Sequence, residues 1–484
     1  MTVKLNKTKI FYLGLFFLLE ALFISVLWNS EAKLTLLLGV LGIPCILGIV
    51  NFMFKSLERA LMAIGFLVPM LPISGYVMLR LNLLEIQWVV YVGFYIIAAI
   101  ALLKNGIINS VKWENVIIKN KVIRVILMLL LVISCIFAFD KGISFMIISL
   151  SFIPFGLFIL TLKAVEVEDK KGLLNNVLLA VCIGCIVSSI PDILYFFMTW
   201  AGGNKNIRIF GPIGSNFILI YDLLILAILL AKWGNQKTLK TIWTPLVISM
   251  CFIISMQLSR GAWVSFFLIM FTFIVFNLKN WKRYVVLTLI FGSMLTYNVM
   301  DRADVKEDTN VKEIQDIIIS GKPPEVNLGE SGPGHIIMKM IESQSKTRQV
   351  LWKAGIGVSM DYPYSGVGIG NFKYFFQEYS GSERAYSDAH NIILNMSSEL
   401  GIPFMVVSMI LLITIGIGAL VNYFKFKNRS IKLNNVAIMA MVAVFFVYGN
   451  LTGISFQTTN EIYSFTPTFI ILFVLFYRDY VEVL

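Results

Sequence analysis

The sequence predicts an all-α integral membrane protein of about fourteen transmembrane helices (12–14) with one large external loop. Three observations predict it. The 484 residues are 58% hydrophobic and only 14% charged, with a mean hydropathy of +0.82. A soluble chain carries roughly 25% charged residues, so this one lacks the polar side chains to cover a surface in water, and lipid is the consistent solvent. Apolar runs close to the roughly 20 residues that a helix needs to cross the hydrocarbon core recur along the chain. Finally, a single long stretch, 301–390, is polar.

The apolar runs fall at 10–27, 34–54, 60–79, 86–103, 122–139, 143–162, 173–200, 213–231, 242–258, 261–277, 284–300, 393–423, 434–452 and 462–477. They divide the chain into N-terminal transmembrane helices over 1–300, a large extracytoplasmic loop over 301–390 and C-terminal transmembrane helices over 391–484. The first run follows Lys4, Lys7 and Lys9 without a small-residue cleavage site, so it reads as a span and not as a removed signal.

Basic residues set the orientation, because they accumulate on the cytoplasmic side. With the N-terminus inside, the cytoplasmic connections hold Lys104, Lys112, Lys119 and Lys121; Lys232, Lys237 and Lys240; Lys279, Lys282 and Arg283; and Lys425, Lys427, Arg429 and Lys432. Both termini are then cytoplasmic and 301–390 lies outside. The net charge of +12 is explained by these short clusters, so no nucleic-acid partner is expected. The outer loop itself is acidic, with thirteen Asp or Glu against ten Lys or Arg. It contains a Gly/Pro-rich link at Lys322–Gly334, an amphipathic stretch at Ile336–Met360 that sets Arg348 and Trp352 one turn apart, and a turn at Asp361–Gly366. Long structured loops in compact proteins usually carry function.

The five cysteines, Cys45, Cys135, Cys182, Cys185 and Cys251, all lie in apolar runs. The Cys182-x-x-Cys185 pair sits at lipid depth, where small residues that pack a helix are a better reading than a redox pair. No HExxH motif and no Cys/His cluster occurs in the external regions, so neither a metal nor a cofactor is expected.

Few residues remain for chemistry. Of the two histidines, His335 lies in a flexible Gly-Pro-Gly-His link. His390, in Ser-Asp-Ala-His-Asn, stands immediately before a long apolar run, where an imidazole can exchange a proton near neutral pH; a plain polar helix start is the alternative. Arg260, in Leu-Ser-Arg-Gly-Ala-Trp, and Arg208, in Arg-Ile-Phe-Gly-Pro, stand at span boundaries. Snorkelling to lipid headgroups and bidentate binding of phosphate fit that position equally well. Arg348 and Arg384 in the loop are further candidates. The intramembrane acids Glu20, Asp192 and Asp222 are assigned no role, although Pro191 suggests a broken helix at Asp192. Gly366-Val-Gly368-Ile-Gly370 resembles a phosphate loop only superficially, because no Lys-Ser or Lys-Thr follows it, and a close backbone turn is the expected use.

Four stretches in order resemble the O-antigen ligase and polymerase superfamily of polytopic bacterial glycan transferases, over roughly 175–460. They are Arg208-x-x-Gly211 with Asn216-Phe217; Ser259-Arg260-Gly261-Ala262-Trp263; Arg348-x-x-x-Trp352 followed by Pro363-x-x-Gly366-Val-Gly368-x-Gly370-Asn371-Phe372; and His390-Asn391-x-x-Leu394 continuing to Glu399-Leu-Gly401. The resemblance implies a GT-C-like bundle in the bacterial inner membrane and a metal-independent transfer of undecaprenyl-pyrophosphate-linked oligosaccharide to a sugar acceptor at the outer leaflet. It implies His390 as the catalytic base, Arg208, Arg260 and Arg348 as pyrophosphate ligands, and Arg384 and Asn391 as further site candidates. For a polymerase it also implies a chain-length regulator as a partner. Repeat-unit polymerisation, ligation to a lipid core and transfer to protein all remain open. A lipid-linked oligosaccharide flippase is the reading from another class, and the long outer loop argues against it.

Overall fold

The computed structural model describes residues 43–71, 87–112, 120–201, 215–236, 241–256, 259–303, 346–381, 386, 388–452, 474, 477–478 and 481. The expectations for Glu20, Arg208, His335 and Arg384, for the runs 10–27 and for most of 462–477, and for the loop before 346 lie outside the described residues. What is described is helical, with no strand beyond an isolated bridge between Val111 and Val165.

The helices are α1 (Ile43–Met53), α2 (Leu57–Leu67), α3 (Gln87–Lys104), α4 (Ile107–Ser110), α5 (Lys121–Ile136), α6 (Lys141–Ile147), α7 (Ile153–Ala164), α8 (Lys170–Ala201), α9 (Ser215–Gly234), α10 (Trp243–Met256), α11 (Arg260–Phe276), α12 (Trp281–Ala303), α13 (Lys346–Asp361), α14 (Phe372–Ser380), α15 (Ile392–Leu400), α16 (Ile402–Lys425) and α17 (Arg429–Thr452). Among the described residues, four helical segments are long and apolar enough to cross a membrane: Lys141–Ala164, Lys170–Ser189, Ile402–Lys425 and Arg429–Asn450. The pair α11–α12 makes a fifth if it is taken together, bent by 106° at the Leu278–Asn280 turn.

α9 sits at the centre. Every residue from Leu219 to Ala231 is buried, as expected of a helix that is apolar on all sides. It packs on α10 and α17, and α17 packs in turn on α11 and α16. The outward faces remain apolar: Val122, Val125, Met128, Leu129, Val132 and Ile136 on α5 are exposed, as are Val406, Ile410, Ile413 and Ile417 on α16. A contiguous apolar surface of this kind suits lipid, not water.

Several polar groups inside the bundle are paired. Ser189 of α8 donates to the buried Asp222 carboxylate of α9 at 3.1 Å. Cys182 and Cys185 are buried and free of disulfides. α8 runs through Pro191 without the break expected there. At the C-terminal end of α9 the carbonyl of Gly234 accepts from Asn280 Nδ2 at 3.1 Å and from Arg429 Nη2 at 2.9 Å. Those donors satisfy a helix-end carbonyl and tie α9, the α11–α12 turn and α17 together.

Two boundaries differ from expectation. The run read as 393–423 is two helices, because Gly401 takes φ +88° and Pro403 stands in the first turn of α16. The span therefore begins at Ile402, and α15 is a separate element. The span read as 143–162 carries a π-helical turn at Ile148–Phe152, just before Pro154. Proline lacks the donor that a regular ladder needs there.

Candidate functional site

The described end of the polar loop is a small packed unit. α13, α14 and α15 enclose Val350, Leu351, Ala354, Val358, Phe372, Phe375, Phe376 and Ala389. Ser359 of α13 hydrogen-bonds Ser397 of α15 at 2.8 Å. The sequence signal for α13, apolar residues recurring at helical spacing, is realised over Lys346–Asp361.

The glycine run fastens this unit to the bundle. Gly366, Gly368 and Gly370 have φ of +64°, +95° and +79°, a region L side chains rarely adopt. Val367 N donates to Ser398 O and Gly368 N to Glu399 O, each at 2.9 Å, and Ile402 N donates to Pro363 O at 2.8 Å. On the other side Phe139 N donates to Val367 O at 2.9 Å, and Ser144 Oγ donates to Ile369 O at 2.9 Å. Asn371 accepts from Asp140 N at 3.2 Å and donates to Ser144 Oγ at 3.0 Å. The run thus joins the α5–α6 connection to the C-terminal end of α15. The amides of Val367 and Gly368 are engaged by protein carbonyls, so they cannot cradle a phosphate. The backbone-turn reading of this motif is the one the geometry realises.

His390 stands at the other end of α15. Its φ is +51°, uncommon for a residue other than glycine, and such strain concentrates at functional positions. Asn391 caps α15, its Oδ1 accepting from Ile393 N at 3.0 Å and Leu394 N at 3.2 Å, so that oxygen already has a structural task. Asn395 reaches back to accept from Ala389 N at 2.7 Å. These bonds hold the backbone on both sides of the histidine.

The residue that sequence reasoning missed is Asp388. Its Oδ1 contacts His390 Nδ1 and accepts from His390 N at 2.6 Å. The Asp388 side chain is 5% exposed and that of His390 36% exposed, so the carboxylate is shielded while the imidazole can be reached. In Ser-Asp-Ala-His-Asn the acid stands two residues before the histidine, a spacing that by itself does not bring the two side chains together.

Arg348 lies within electrostatic reach of His390, and Arg260 within reach of Arg348. The Asp388 carboxylate pushes the His390 pKa up from its ordinary 6.5; burial and the positive charge of Arg348 oppose the rise. Burial lowers the Arg348 pKa, and the charge of Arg260 lowers it further. Arg260, Arg348 and His390 therefore lie within electrostatic reach in series. Arg260 is exposed in the first turn of α11, and Arg348 is half-buried in the first turn of α13. Two guanidinium groups that raise each other's energy favour an anion beside them. Among the described residues no three His, Cys, Asp or Glu side chains gather as metal ligands.

A raised His390 pKa carries a sign for two measurements. A general base must be neutral, so activity is expected to rise with pH along a limb centred above 6.5. Stability runs the other way. The folded state holds this proton more tightly than the unfolded chain does, so the contribution is complete below the unfolded pKa and lost as pH rises through the folded one. Asp388→Asn is expected to move the activity limb toward acid in a pH–rate profile; an unmoved limb would show that Asp388 does not set it.

Residues 245–409, from α10 into α16, match the family model described as O-Antigen ligase. Arg260, Arg348 and His390 all fall inside that stretch. No curated protein and no solved structure matches the chain.

Proposed function

We propose, from the match of residues 245–409 to the O-Antigen ligase family model, that the chain is a glycosyltransferase of the outer leaflet of a bacterial inner membrane. It polymerises or transfers oligosaccharide repeat units carried on undecaprenyl pyrophosphate in surface polysaccharide synthesis. The observation that supports this reading is a carboxylate-backed His390 within electrostatic reach of Arg348, which in turn feels the charge of Arg260.

In the proposed step an acceptor sugar hydroxyl attacks the anomeric carbon of the donor. Its proton passes to Nε2 of His390 while the new glycosidic bond forms. The bond from that carbon to the pyrophosphate oxygen breaks, and the lipid pyrophosphate leaves with the electron pair. Asp388 keeps Nδ1 in the productive orientation and stabilises the imidazolium that forms, as a buried aspartate does in hydrolytic triads. Arg260 and Arg348 meet the charge that develops on the leaving oxygen, the task that preorganised positive groups perform in transition states. Arg208, from the connection before α9, is proposed as a third ligand and Arg384 as a further one. For a repeat-unit polymerase a chain-length regulator is a proposed partner.

The test is release of undecaprenyl pyrophosphate coupled to glycan transfer by the purified full chain, given a synthetic lipid-pyrophosphate-linked oligosaccharide and a sugar acceptor. A flippase would move such a lipid without cleaving it. Arg260→Lys keeps the charge and removes the bidentate fork, and is expected to lower turnover by roughly 10²–10³, the usual effect of one lost transition-state contact. Turnover abolished by EDTA and restored by Mg²⁺ would overturn the metal-free step.

A further inference from the structure

One buried acid has no part in the step above. Glu399 lies near the end of α15, outside the span that begins at Ile402, and is 2% exposed. Its Oε1 accepts from Phe372 N at 3.4 Å, and the backbone N–H of Gly370 stands close enough to favour the charged carboxylate. These two amides flank Asn371, the residue whose side chain holds the start of α6. The Glu399 carbonyl accepts from Gly368 N at 2.9 Å and from Ser134 Oγ of α5 at 3.0 Å. One residue therefore grips a membrane helix, the glycine run and α15 together. α15 is a rigid nine-residue rod with Glu399 near one end and the His390–Asn391 cap at the other.

The second carboxyl oxygen shows what kind of grip this is. Glu399 Oε2 is buried and has no hydrogen-bond partner. An ionised carboxylate would leave charge on an oxygen that nothing solvates, and that costs several kcal/mol or drives protonation. Burial, with a smaller push from Asp388, raises the Glu399 pKa to about 8 against the opposing pull of the two backbone amides.

We propose that Glu399 is a positioning residue for His390, which locks α15 to the end of the glycine run and the start of α14 through its hydrogen-bonded carboxyl and needs no negative charge to do so. A neutral amide of the same length reproduces the grip. Aspartate, shorter by one methylene, cannot span the gap, and alanine abandons it.

The inference rests on the reading of His390 as the reacting base, but its test does not use the reaction. The chain has two histidines, His335 and His390. In a His335→Gln background, purified through a histidine-free tag, His390 is the one histidine that diethyl pyrocarbonate can modify, and the absorbance of the carbethoxylated imidazole gives its rate. The neutral imidazole attacks the reagent, so a loosened Asp388–His390 pair reacts faster. Read on the monodisperse full chain, Glu399→Asp is expected to react several-fold faster than the parent, and Glu399→Gln to stay close to it. Equal rates in all three would overturn the proposal, as would Glu399→Gln reacting as fast as Glu399→Asp. The two readings fail separately. Normal glycan transfer by His390→Asn would sink the catalytic role whatever the modification rates are, and flat modification rates would sink the role of Glu399 even if His390→Asn is inactive.

Discussion

Replacing His390 is expected to abolish glycan transfer while leaving the protein folded in the membrane. Removing a general base costs typically 10²–10⁴ in rate, enough to eliminate surface polymer in a complementation assay. The choice of variant matters, because His390 has φ +51°. Alanine pays roughly 1–2 kcal/mol in left-handed backbone, so a loss in His390→Ala mixes strain with lost chemistry. Asparagine tolerates that conformation and has no basic nitrogen. His390→Asn is therefore the decisive substitution: inactive, with parental abundance and melting temperature. Asp388→Asn is expected to be less severe, since the imidazole stays but loses the charge that steadies its protonated form. Polymer of normal amount and length in His390→Asn cells would remove the histidine from the mechanism, and with it the main argument against a flippase.

The same residues show how far a sequence can be read. His390 and Arg260 are legible because a titratable or charged group at the edge of an apolar run is a functional candidate, whereas Arg348 is one arginine among several charged residues of the polar loop. Asp388 stood beside the histidine in the sequence but did not signal its role, because a two-residue spacing means nothing until the chain turns through φ +51° and points both side chains together. Glu399 was hidden more deeply. Its partner Phe372 is 27 residues away, and no local pattern reports that distance. The bundle was legible where apolar runs are long and uninterrupted, as in α16 and α17. It was misread at Gly401, although the Gly-Ile-Pro there is a stop followed by a start: glycine ends α15 in a conformation closed to other residues, and Pro403 opens α16. Apolar character alone ran the two helices together.

Gly366→Ala is expected to be among the most damaging single-methyl changes in the chain. A Cβ on Gly366 would overlap the carbonyl carbon of Glu399 and stand 2.6 Å from Leu400 N, all of it backbone that cannot swing aside. The φ of +64° adds a second penalty, roughly 1–2 kcal/mol for an L side chain. The two together should exceed ~3 kcal/mol, the upper end of ordinary single-site effects. The matched control is Gly418→Ala on α16, where nothing lies within 4 Å of the added methyl. Alanine is also the better helix former by about 1 kcal/mol, so that variant should melt at or above the parent temperature. The contrast between the two locates the effect in the fastening, not in glycine content. The strand-like bonds that Gly366 allows, Val367 to Ser398 and Gly368 to Glu399, hold α15 to the glycine run, which is fastened in turn to the α5–α6 connection. Loosening them should also free the far end of α15, so any folded Gly366→Ala protein is expected to show lower glycan transfer and faster modification of His390. A melting temperature and a modification rate both equal to the parent's would mean that the run does not hold the histidine in place.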